Sequence, residues 1–66
     1  MIHRDWTDPR DGRHWVLWLE REKSRRVLAF SSEQDNCEVE VRSDTPLGDM
    51  TDAELEALLD RRRTTH

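Results

Sequence analysis

Residues 13–20, RHWVLWLE, place five apolar residues in a row, Trp15-Val16-Leu17-Trp18-Leu19, inside a chain that is 39% charged. A half-buried strand alternates, apolar toward the core and polar toward water. Here both sets are apolar: Trp15, Leu17 and Leu19 on one side, Val16 and Trp18 on the other. One side belongs to the core, and the reading of the chain turns on what the other side is for.

Upstream lies TDPRDG, residues 7–12, a turn with a mechanism: Pro9 presets its own φ, Asp8 and Asp11 bond to nearby backbone, and Gly12 accepts positive φ. It joins a short edge strand at about residues 2–6 to the central strand at about 13–20. Downstream, the polar REKSRR tip at 21–26 leads into VLAFSS, predicting a third strand at about 26–32. A tip at about 22–25 sets Leu19 opposite Leu28 and Leu17 opposite Phe30, so that Trp15, Leu17, Leu19, Leu28 and Phe30 share one face. CEVEVRS then alternates strictly, predicting a fourth strand at about 37–43 with Cys37, Val39 and Val41 on that same face.

The last element carries the strongest end signals. In MTDAELEALLDRRR, Thr51 is a natural N-cap, Glu54 completes a capping box, Met50 staples onto Leu55, and Arg61, Arg62 and Arg63 suit the negative end of the dipole. A helix over about 52–62 has one narrow stripe, Leu55, Leu58 and Leu59, wide enough for one sheet face. The fold class is therefore α+β: an antiparallel β-meander of three or four strands with one C-terminal helix packed on one face. The 66 residues form a single small domain with a frayed tail at 61–66.

Composition narrows the function. A single cysteine, Cys37, excludes an internal disulfide framework and favours a reducing, cytoplasmic setting. The longest apolar run is five residues, far below the roughly 20 a membrane helix requires, so no membrane partner is expected. Net charge is −4, but residues 1–30 carry seven Lys/Arg against five Asp/Glu while 31–60 carry one Arg against ten acids. An acidic chain is a poor nonspecific binder of nucleic acid, although its first half could present a basic stripe.

Chemistry finds little support. His3, His14, His66 and Cys37 show no paired metal-ligand spacing, so no metal is expected, and Cys37 reads as a small buried hydrophobe. Ser31 and Ser32 with His3 or His14 and Asp5 or Asp11 make a chance constellation without a nucleophile elbow, and a two-layer domain this small has little room for a deep pocket. No catalytic residue, cofactor or small-molecule substrate is expected, and the protein is read as no enzyme.

What the pattern does leave is a surface. With Trp15, Leu17 and Leu19 under the helix, the far face carries Val16, Trp18, Val27 and Ala29, rimmed by His14, Glu20, Glu38, Glu40 and Arg42. An apolar centre with a charged rim suits a protein partner, and a homodimer packed sheet to sheet is the simplest one. Partner binding is thus expected of Trp18, Val16, Val27, Ala29, His14 and Arg42, in an accessory or regulatory module. Two readings compete: Ile2 and Trp6 could fold over the far face, or the face assignment could invert and bury Trp18 in place of Trp15. The alternative function is single-stranded nucleic-acid binding through Arg13, Trp18, Arg25 and Arg26. A third idea, that Asp49, Asp52, Glu54, Glu56 and Asp60 dock on a basic partner, competes with ordinary solvated helix charge.

Overall fold

The computed structural model describes residues 3–63, with side chains described through residue 61. Four strands, β1 (His3–Thr7), β2 (His14–Glu22), β3 (Arg25–Ser31) and β4 (Asn36–Val41), form one antiparallel open sheet in the order β1-β2-β3-β4. A short 3₁₀ turn at Leu47–Asp49 leads to helix α1 (Asp52–Arg63). This is the α+β meander expected from the sequence. The first residue of the expected edge strand, Ile2, and the last part of the expected tail, 64–66, lie outside the described residues, whereas Arg61 to Arg63 belong to α1.

Register follows the hydrophobic pattern. Leu19 faces Leu28 and Leu17 faces Phe30 across β2 and β3, and Phe30 and Leu28 in turn face Cys37 and Val39 of β4. A slip of one residue would turn one strand's apolar set toward water. The β2–β3 hairpin closes on Lys23 and Ser24 alone, with Lys23 at φ 58°. The β1–β2 turn uses the features read from its sequence: the Asp8 and Asp11 carboxylates accept from the Arg10 and Arg13 amides, and Gly12 sits at φ 73°.

The core lies between the sheet and α1. Trp6, Trp15, Leu17, Leu28, Phe30, Val39 and Val41 from the strands meet Leu47, Met50, Leu55 and Leu59, with Leu19, Cys37 and Leu58 partly buried at its margin. Phe30 is its hub, taking Trp15 edge-on at 5.9 Å and Trp6 at 6.4 Å. The helix begins as its sequence predicts, the Glu54 amide donating to Thr51 Oγ1 at 3.2 Å. Met50 and Leu55 are both buried on either side of that cap.

One strand ends earlier than expected. β4 stops at Val41, so Arg42 and Ser43 leave the sheet. Arg26, the partner of Val41, donates to Ser43 O and Thr45 O and draws the chain out of the ladder at that point.

Candidate functional site: the open sheet face

The two faces can be read row by row from the register. On the face away from α1, Asp5, Val16, Ser31 and Asn36 form one row and His3, Trp18, Ala29 and Glu38 the next, with Thr7 and His14 above them and Glu20, Val27 and Glu40 below. Among the described residues no helix or loop covers these rows: α1 and the 3₁₀ turn pack on the other side.

The three tryptophans divide as the alternation requires. Trp15 is 2% exposed and Trp6 5%, both in the helix-side core. Trp18 is partly exposed on the open face. Two competing readings thereby fall away: the faces are not inverted, and Trp6 does not cross the open face but pairs with Trp15 and donates from Nε1 to Asp52 Oδ1 at 3.0 Å. Ile2, the other residue considered as a cover, lies outside the described residues. Trp18 is oriented by its own neighbour, Nε1 donating to Glu20 Oε1 at 2.7 Å. Glu20 lies two residues on along the same face, so this bond turns the indole along β2 toward the Glu20–Val27 pair.

The apolar centre is smaller than the alternation suggests. Val27 and Ala29 are only 6% and 3% exposed, against the open positions expected of them. Val27 stands between Glu20 and Glu40, and Ala29 between Trp18 and Glu38, so longer side chains on both neighbouring strands shield them. The apolar surface left to a partner is Val16 and Trp18, successive outward positions of β2. Two shallow open hollows flank it, one of about 670 Å³ beside His14 and Val16 and bounded by residues 31–34, the other of about 810 Å³ between Trp18, Ala29 and residues 36–38.

The rim is charged with both signs. His14 and Asp5 are well exposed, their side chains at 59% and 67%, with His14 Nε2 at 3.7 Å from Asp5 Oδ1. Asn36 Oδ1 accepts from Ser31 Oγ at 2.7 Å, and the Asn36 amide nitrogen is a donor. Arg42 is exposed just beyond the end of β4. His3 and Asp5 complete this face and were outside the residues expected from sequence; the alternation in β1, with Trp6 toward the core, is the signal that places them.

The arginines expected for nucleic acid do not gather around Trp18. Arg26 lies on the helix side of the sheet, bonded to the carbonyls after β4. Arg25 pairs with Glu22 at 3.5 Å, and the Arg13 guanidinium sits 5.7 Å from the ring centroid of Trp15, the buried tryptophan. Arg10 closes on Asp8, Glu56 and Asp60, tying the β1–β2 turn to α1. Its hydrogen bonds to Asp8, then those to Asp60, push its pKa further above the usual arginine value. Asp60 and Glu56 of the acidic helix surface are thus engaged within the chain.

Among the described residues no cluster of three His, Cys, Asp or Glu side chains is placed to hold a metal ion, and no helix is long and apolar enough to cross a membrane. No protein-family model matches the chain, and neither a curated protein nor a solved structure matches it.

Proposed function

We propose that the protein is a small non-enzymatic protein-binding module of the accessory or regulatory kind, which docks its partner on the sheet face opposite α1. A single observation carries this reading: of three tryptophans, the one that the core does not take is held partly exposed, beside Val16, on a sheet face that no described element covers. A partly exposed tryptophan amid a charged rim is the composition of an interaction hot spot. The reducing cytoplasm suits a chain whose sole cysteine lines the core margin.

Single-stranded nucleic acid finds less support on this face, since Glu20, Glu38 and Glu40 flank Trp18 and Val27 while Arg26 is turned to the other side. Like-signed carboxylates repel phosphate.

The immobilised chain tests the reading against Trp18→Glu and, on the exposed side of α1, Ala57→Glu. Both variants are expected to keep the wild-type circular dichroism, and only Trp18→Glu to lose the bound protein. Binding that both variants retain equally would refute the docking face. Bound material that is nucleic acid, released steeply as salt rises, would replace this function by the alternative.

A further inference from the structure

Along the open face, the outward positions of β2 read His14, Val16, Trp18, Glu20: a cationic-capable group, two apolar groups, an acid. About the midpoint at Leu17 this series is apolar-symmetric and charge-antisymmetric. β1 repeats it, with His3 and Asp5 on either side of the same line. A surface with that pattern is complementary to itself. We propose that the occupant of the open face is a second copy of this chain, related by a two-fold axis that lies between the sheets and crosses β2 at right angles over Leu17. The inference rests on the docking face proposed above and names its partner.

The axis fixes which groups meet. Trp18 of each copy covers Val16 of the other, entering the hollow that Val16 borders, and the two partly exposed apolar side chains are closed off together. His14 comes opposite the other copy's Glu20, and His3 opposite its Asp5. Ser31 faces Ala29, and Glu38 faces Asn36, whose amide nitrogen is free to donate toward it because its Oδ1 is the atom that accepts from Ser31. No carboxylate is set directly against another in these rows. A two-fold along the strands instead would lay Glu20 on Val27 and Trp18 on Ala29, a residue already shielded, and would leave Val16 against Ser31.

Size agrees with a weak, reversible pair. The thirteen outward positions in these rows, about 4.8 Å apart across strands and about 6.8 Å apart along them, span roughly 400 Å² of flat face. Side-chain relief raises the accessible area above that value, toward but not beyond the ~800 Å² per partner of a standard interface. Interfaces at or below that size belong to the weak, transient class. Sheets packed face to face also cross at about −30°, which keeps the central rows in contact and splays the corners.

Sedimentation of the chain over a dilution series tests the proposal. The expected result is a two-chain mass at high concentration falling to one on dilution. His14→Glu and Glu20→Lys should each weaken self-association by about tenfold or more, since each change acts twice in a two-fold interface. An equimolar mixture of the two variants should recover a dimer: the glutamate introduced in one copy meets the lysine introduced in the other, and the remaining native Glu20 meets the remaining native His14. His14 is exposed, so its substitution does not threaten the fold. A dimer that ignores both changes, or a mixture that fails to recover it, overturns the geometry. A monomer at every concentration overturns the second copy as occupant; if Trp18→Glu still abolishes capture of another protein, the docking face itself stands.

Discussion

Trp15 and Trp18 are three residues apart on one strand, and the structure assigns them opposite energetic roles that can be measured side by side. Replacing Trp15 by Ala removes an indole that is 2% exposed and packed edge-on against Phe30. A buried indole withdraws about 200 Å² from water, which at about 25 cal/mol per Å² sets a loss near 5 kcal/mol, and measured Trp→Ala substitutions fall at about 3–5 kcal/mol. No hydrogen bond is added to that figure, because Trp15 Nε1 is buried without a partner among the described residues. A chain of this length has about 3–5 kcal/mol in total, so Trp15→Ala should be largely unfolded in buffer. Trp18 is partly exposed, so Trp18→Ala loses less, about two-thirds as much apolar area and a bond to Glu20 whose carboxylate returns to water at little cost, so about 2–3 kcal/mol. With a urea slope near 1 kcal/mol per M, that is a midpoint lowered by about 2–3 M in a protein that is still mostly folded in buffer. Far-ultraviolet circular dichroism under urea, at a dilution where self-association does not contribute, reads both variants. Equal costs for the two substitutions, or a Trp18→Ala chain that does not fold, would refute the division of faces and with it the docking surface.

Lys23 holds φ 58° at the tip of the β2–β3 hairpin, so Lys23→Gly should raise stability by about 0.5 kcal/mol and Lys23→Val lower it by about 1 kcal/mol, read from urea midpoints. Asp8 is 1% exposed beneath Arg10 and also accepts from the Arg10 amide, so Asp8→Ala should lower the melting temperature by an amount on the order of 10–20 °C. Removing the N-cap oxygen by Thr51→Ala should cost about 1 kcal/mol in the same denaturation series, with Thr51→Ser close to wild type. Arg4 donates to Leu47 O and Met50 O as Arg26 does to Ser43 O and Thr45 O. Replacing both by Met should speed hydrogen exchange at the Asp49 and Met50 amides while β2 and β3 stay protected; unchanged exchange there would show that the connection holds without them.

Element types, strand order and the β2–β3 register were legible in the sequence because each rests on a local rule that tertiary packing reinforces: alternation in β4, a capping box at α1, turn residues at 8–12. Less legible was how open the far face is. Alternation says which way Val27 and Ala29 point, but exposure depends on the length of the side chains on both neighbouring strands, and here Glu20, Trp18, Glu38 and Glu40 are all long enough to shield them. The end of β4 was misplaced for a related reason. Arg42 continues the alternation, and only the long-range bonds of Arg26 to the chain beyond it end the ladder at Val41.

Those bonds also explain how a chain with so few apolar residues holds a two-layer fold. The connection from β4 to α1 crosses the sheet with little regular structure, and its carbonyls need donors. Arg4 and Arg26 supply them from strand positions on the core side, where sequence pattern would ask for apolar residues, and Arg61 does the same for Glu40 O on the outer strand. Each side chain covers apolar surface with its stem while its guanidinium bonds backbone, so it extends the small core as well as anchoring the chain. The basic excess of the first half is therefore largely internal structure: Arg4, Arg10 and Arg26 bind the connection and the helix to the sheet. What remains outward on the open face is His3, Asp5, His14 and Glu20 around Val16 and Trp18, with Glu38 and Glu40 along its β4 side.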